Sequence, residues 1–86
     1  MNKIITMIEP FQKNQAIYIY KDGVKVDAIE SDLDNLTISL SNVIEEYQID
    51  KIGFVGPEKF TRKYGKDLEE NIATKFTNKN IEIEYM

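Results

Sequence analysis

The order of the hydrophobic segments constrains the fold of this chain more than any other feature. Three strand-like runs come first, followed by a helix-like run, a strand, a second helix-like run and a last strand. They cover residues 3–8, 16–21, 24–30, 32–47, 51–55, 66–76 and 81–85. No repeat, low-complexity tract or linker interrupts them, so the chain is predicted to form a single α/β domain over residues 1–86.

The strand-like runs differ in which of their faces are apolar. The runs at 3–8 and 16–21 are apolar or amphipathic on both faces, which predicts central strands of a sheet covered by helices. In the third run, Val24, Val26 and Ala28 form an apolar face opposite two charged residues, and residues 81–85 alternate similarly, as in edge strands. A turn at residues 21–23 predicts a hairpin between strands two and three. The predicted fold is a five-stranded mixed sheet of order 3-2-1-4-5 with two helices.

Both helices have recognisable sequence signals. Ser31 and Asp34 resemble a capping box at the start of the first helix. Apolar residues then recur on one helical face; they are Leu33, Leu36, Leu40, Val43, Ile44 and Tyr47. In the second helical region Gly65 predicts a break, with a turn or short helix up to Tyr64 and a helix after it.

The absence of two residue types excludes much chemistry. Without cysteine the chain has no disulfide, thiolate metal site or thiol nucleophile, and without histidine it lacks the usual general base. Carboxylates with a hard metal ion, or Lys and Tyr, remain for catalysis. No apolar run reaches the ~18 residues of a membrane span, and the start does not resemble a signal peptide. A cytoplasmic location is therefore expected.

Charge is unevenly distributed along the chain. The net charge is −4, and residues 22–50 contain eight acidic residues against one lysine. An acidic protein is poorly suited to the phosphate backbone of nucleic acid. A basic protein partner is a better match for this segment.

Two short motifs add a resemblance to this topology. Ile8-Glu9-Pro10 lies at the end of the first strand, and Phe54-Val55-Gly56-Pro57-Glu58 at the end of the fourth. With the βββαβαβ order, these motifs resemble ribonuclease H-like proteins, especially bacterial Holliday-junction resolvases. The resemblance implies a nuclease that uses Mg²⁺ or Mn²⁺, with Glu9 and Glu58 as metal ligands and a third acid from Asp67, Glu69 or Glu70.

Departures from the family pattern weigh against that activity. The first-strand acid is Glu9, whereas the resolvases have aspartate there, and the extra methylene displaces the carboxylate. The alternative interpretation treats Glu9 as a solvated acid before a turn and Glu58 as an acid favoured by the helix dipole. We therefore expect no catalytic residues, metal or other cofactor.

Two charged groups are candidates for partner binding. Lys59, Arg62, Lys63 and Lys66 would form one basic stripe on a helix, and Asp27, Glu30, Asp32 and Asp34 an acidic segment around the end of the third strand. Each also has a plainer interpretation, a solvated helix face for the first and helix capping with solubility for the second.

These observations favour a small non-catalytic protein that binds another protein. Its size and acidity would suit a phage or mobile-element inhibitor of a host factor. The expected contact surfaces are the acidic segment, the basic stripe and the edge strand at 81–85, which is also a candidate for homodimer pairing. The resolvase-type nuclease is the alternative, and a structural subunit of a larger assembly is a third, weaker one.

Overall fold

The computed structural model describes all residues 1–86 and contains one five-stranded sheet and two α-helices. The elements in chain order are β1 (Asn2–Met7), β2 (Asn14–Lys21), β3 (Val24–Asp32), α1 (Leu36–Tyr47), β4 (Lys51–Val55), α2 (Glu58–Lys75) and β5 (Glu82–Tyr85), with a 3-10 turn at Leu33–Asn35 before α1. The sheet order is β3-β2-β1-β4-β5, as predicted. The β1–β2 and β2–β3 pairs are antiparallel, and the β1–β4 and β4–β5 pairs are parallel.

Both helices pack on the same face of the sheet. One contiguous core joins the inward side chains of α1 and α2 to Ile4, Ile19 and Phe54. β1 and β2 are central strands, as predicted, and helices cover only one of their two faces. The connections β3–α1–β4 and β4–α2–β5 both link parallel strands and both advance across the sheet in the same direction. Since such crossovers are right-handed, the two helices lie on one side.

Helix α1 presents the predicted apolar face but begins differently from the prediction. Leu36, Leu40, Val43 and Ile44 are buried, with Leu33 and Tyr47 packed against them. Ser31 does not cap the helix, because it is the next-to-last residue of β3 and its Oγ accepts a hydrogen bond from the Ser39 hydroxyl at 2.8 Å. A 3-10 turn takes the place of the predicted capping box.

Helix α2 is continuous through Gly65, so the predicted break is wrong. A Cβ atom at Gly65 would lie 2.5 Å from Cε1 of Tyr85. The glycine therefore allows β5 to pack against α2. Its role is close packing within the helix, which local propensity alone does not reveal.

Strand β3 is an edge strand, as predicted, but its predicted apolar face is not buried. Val24 and Val26 are 65% and 47% exposed. The register shifts between Ile19 and Tyr20 of β2, which leaves Val26 without a pairing partner. The predicted hairpin before β3 is confirmed: Asp22 and Gly23 form its turn, both with positive φ.

Candidate functional site

One face of the sheet has no helix on it. We call this surface the open face; it comprises the side chains of β1, β2, β4 and neighbouring strands that point away from α1 and α2. Alternation along the paired strands places there the apolar residues Ile5, Met7, Ala16, Tyr18, Tyr20, Ala28, Gly53 and Val55. The large side chains among them on β1 and β2 are half-buried by their neighbours and take no part in the core.

A charged group borders the open face beside β5. The Lys3 Nζ donates a hydrogen bond of 2.8 Å to Oε1 of Glu84, and the Lys51 Nζ lies 3.1 Å from its Oε2. Hydrogen bonds from Lys3 and Lys51 lower the pKa of Glu84, and the Glu84 partner raises the pKa of Lys51. On the opposite border, the Lys25 ammonium lies 5.5 Å from the Tyr18 ring centroid.

The loop after β1 displays an aromatic side chain that the sequence interpretation missed. Phe11 is 97% exposed. The loop is held by buried Gln15, whose Oε1 accepts from the Glu9 amide at 2.7 Å and whose Nε2 donates to the Glu9 and Gln12 carbonyls. The sequence signal that could have identified Phe11 is its position as the one aromatic residue between the first two strands.

Of the three carboxylates predicted to bind a metal, only two lie at the same edge of the sheet. Glu9 and Glu58 follow the neighbouring parallel strands β1 and β4 and so lie at the same edge of the sheet. Glu58 forms an exposed pair with Arg62, with 3.5 Å between Oε1 and Nε. Asp67 is two and a half turns further along α2, about 13 Å from Glu58 and on the opposite side of the helix. No group of three or more Asp, Glu, His or Cys residues is arranged to hold a metal ion.

The residues of the basic stripe lie on one continuous helix and are exposed. Phe60 and Tyr64 point towards the core, with ring centroids 4.6 Å apart. The Arg62 guanidinium lies 5.5 Å from the Tyr85 ring centroid. The stripe is therefore accessible, and its function stays a prediction.

Two of the four residues in the acidic segment have contacts within the chain. Asp27 accepts from the Tyr47 hydroxyl at 2.9 Å, which raises the pKa of that tyrosine. Asp32 accepts from Nδ2 of Asn35 at 2.8 Å. Glu30 and Asp34 are exposed and take no part in these hydrogen bonds. A partner can therefore bind Glu30 and Asp34 without breaking them.

A cavity of about 230 Å³ opens at the start of α2. Its lining residues are Gly56, Glu58, Thr61, Arg62, Tyr85 and Met86. Thr61 is only 3% exposed, and its buried Oγ1 has no hydrogen-bond partner. The sequence interpretation did not single out Thr61, because a threonine inside a helix normally bonds to its own backbone.

The element order and the sheet order together define a mixed α/β protein of ribonuclease H-like topology. No protein-family model matches the chain, and no curated protein matches it. Among solved structures, the chain is similar to a PPX-GPPA enzyme from Aquifex aeolicus, with a TM-score of 0.49 and 14% identity. The match covers 100% of this chain and 36% of the Aquifex chain. No helix is long and apolar enough to cross a membrane.

Proposed function

We propose that this protein is a non-catalytic protein-binding module and that its open face binds an amphipathic helix of the partner. The proposed helix has an apolar stripe with acidic residues along both flanks. The observation that supports this proposal is the row of large apolar side chains on a sheet face without a covering layer.

The composition of the open face differs from that of a solvated sheet face. An antiparallel sheet with one face in water usually has polar residues on that face. Here Ile5, Met7, Tyr18 and Tyr20 lie side by side on β1 and β2. Contiguous exposed apolar patches mark interaction sites, and tyrosine and methionine are enriched in protein interfaces.

The charges at the borders of this patch favour acidic flanks on the partner. Lys3 and Lys51 share the salt-bridged carboxylate of Glu84, and Glu82 lies opposite Lys51 in the strand register. Each ammonium group carries three donors, so both lysines can still donate to carboxylates of a partner. Lys25, on the other border, lies over an aromatic ring and forms no salt bridge. A helix with acidic residues on both sides of its apolar stripe would match both borders.

A pair of designed helical peptides tests this proposal. Both have the same leucine stripe; one has glutamates on its flanks and the other has lysines. We expect the acidic peptide to shift the amide resonances of Ile5, Met7 and Tyr18 saturably, with at least tenfold tighter binding than the basic peptide. Tyr18→Ser should weaken that binding about tenfold, the equivalent of about 1.4 kcal/mol.

Ile38→Ser is the matched control, because Ile38 is exposed on the outer side of α1, away from the open face. It should leave peptide binding unchanged. Equal binding of the two peptides, or shifts outside the open face, would contradict the proposal. Concentration-dependent shifts of the same amides without peptide would instead identify a second copy of this chain as the occupant.

The expectation of a phage-type inhibitor concerns the partner's identity and stays a prediction, as does the cytoplasmic location.

The metal-dependent nuclease is the second candidate, because Glu9 and Glu58 lie at the same sheet edge. A Mn²⁺ titration followed amide by amide tests it. Saturable changes centred on both residues, lost in Glu9→Gln, would support the nuclease.

A further inference from the structure

We infer that the cavity at the start of α2 binds a phosphate group, as inorganic phosphate or as a small phosphomonoester. This site is separate from the open face and does not depend on the protein-binding proposal. Three features favour an anion: an unpartnered buried hydroxyl and an arginine on the cavity wall, and the free backbone amides of the first turn of α2, of which only that of Glu58 belongs to a wall residue.

The Thr61 hydroxyl is the feature that most requires a ligand. Its Oγ1 is buried without a partner, whereas buried polar atoms are almost always hydrogen-bonded. It lies against Gly56, another residue of the cavity wall, where an added Cβ would be only 2.5 Å away. A phosphate oxygen in the cavity would supply the missing partner.

The backbone at the start of α2 supplies further donors. The amides of Glu58, Lys59 and Phe60 have no carbonyl within the helix to bond to, whereas the Thr61 amide donates to the Pro57 carbonyl at 2.8 Å. Pro57, at the N-cap position, provides no capping side chain. An 18-residue helix also places a partial positive charge at this end, which favours an anion.

Arg62 adds a full positive charge beside these donors. Its guanidinium is on the cavity wall next to the Tyr85 ring, and its only ion pair is the exposed contact with Glu58 at 3.5 Å. Exposed ion pairs of this kind are weak. A phosphate can therefore displace the Glu58 carboxylate and bind the Arg62 guanidinium in its place. Glu58 is therefore expected to oppose phosphate binding.

The test is a titration of the labelled protein with inorganic phosphate, and separately with glycerol 3-phosphate, followed by amide NMR. We expect saturable shifts confined to the residues around the cavity, 56–62 and 85–86. Thr61→Val and Arg62→Gln should each weaken binding at least fivefold, and Glu58→Gln should strengthen it about threefold. Tighter binding of glycerol 3-phosphate than of phosphate would assign the site to phosphomonoesters; the reverse order would assign it to the free ion.

Two controls keep the outcome interpretable. Lys63→Gln removes the same charge as Arg62→Gln from a residue outside the cavity wall, and it should leave binding unchanged. Thr61→Val keeps the side-chain shape and removes an unpartnered hydroxyl, so its melting temperature should not fall. Equal weakening by Lys63→Gln and Arg62→Gln, or unchanged binding in Thr61→Val, would overturn the proposal, as would shifts with Mn²⁺ and none with phosphate.

Discussion

At the scale of single residues, Gly56 shows how closely β1 and the start of α2 approach each other. A Cβ atom there would lie 2.1 Å from the backbone carbonyl oxygen of Ile8. That oxygen belongs to the main chain beside a parallel strand pair, so it cannot move aside without disturbing the sheet.

Gly56→Ala is therefore expected to lower the free energy of unfolding by about 1–3 kcal/mol. Gly53→Ala is the matched control, since its added methyl would meet the flexible end of Met86, 2.7 Å away. That variant should lose less than about 1 kcal/mol. Urea unfolding of both variants makes the comparison, and equal losses would show that backbone proximity at Gly56 is unimportant.

Glu84 makes the stability dependent on pH. Its pKa is lowered by hydrogen bonds from Lys3 and Lys51, below the ordinary value of 4.5. The folded state therefore binds the proton more weakly than the unfolded state, so the contribution is present above pH 4.5 and is lost as pH falls through the lowered pKa.

We expect Glu84→Gln to be less stable than the original protein at neutral pH, and the difference to shrink as pH falls below 4.5 and through the lowered pKa of Glu84. Denaturant unfolding at several pH values measures the difference. Glu70→Gln is the control, because Glu70 is exposed on α2 and forms no salt bridge. A stability difference for Glu84→Gln that does not change with pH would contradict this account.

At the scale of secondary-structure elements, α1 is held by its apolar face. Leu40 is fully buried, whereas Ile38 on the same helix is 56% exposed. Leu40→Ala should cost about 2–5 kcal/mol, because it leaves a cavity in the core. Ile38→Ala should change stability by less than about 0.5 kcal/mol. Thermal or urea unfolding measures the loss of stability in both variants. Similar losses would mean that α1 does not pack on the sheet through Leu40.

Helix α2 carries the basic stripe, whose function is a separate prediction. Reversing the charge at Lys59, Lys63 and Lys66 should leave the circular dichroism unchanged, because all three side chains are exposed. A polyglutamate peptide without an apolar stripe is the probe for α2, and the charge reversal should weaken its binding at least tenfold, measured as loss of shifts on that helix. An unchanged affinity would mean that the basic stripe is a solvated helix face and does not bind a partner.

At the scale of the whole molecule, the free edge of β5 is the predicted site of pairing between two copies of the chain. The Glu82 amide donates to the carbonyl of Asp50, just before β4, and the Met86 amide to that of Phe54 in β4. By alternation the amides of Ile83 and Tyr85 point to the free edge of β5. If β5 pairs with a second copy, as predicted, hydrogen exchange at Ile83 and Tyr85 should slow with rising protein concentration. Exchange at Glu82 and Met86 is the internal reference. Rates independent of concentration up to the millimolar range would discard this dimer.

Much of the architecture followed from local sequence patterns. The turn at Asp22-Gly23, the apolar face of α1 and the two-sided strands β1 and β2 depend on backbone preference and periodicity, which act over a few residues. Those patterns were sufficient for the sheet order. They failed at Gly65 and Ser31, where a neighbouring element decides what the residue does.

By itself, the sequence determined the kinds of elements, their order and the chemistry that is absent, because these depend on residue types and their spacing. Tertiary structure alone decided that both helices share one face, that Phe11 stands exposed and that the Thr61 hydroxyl is buried beside the start of α2. It also separated Asp67 from the other predicted metal ligands. The physical reason is that crossover handedness and close packing act between residues far apart in the chain, and no local pattern records them.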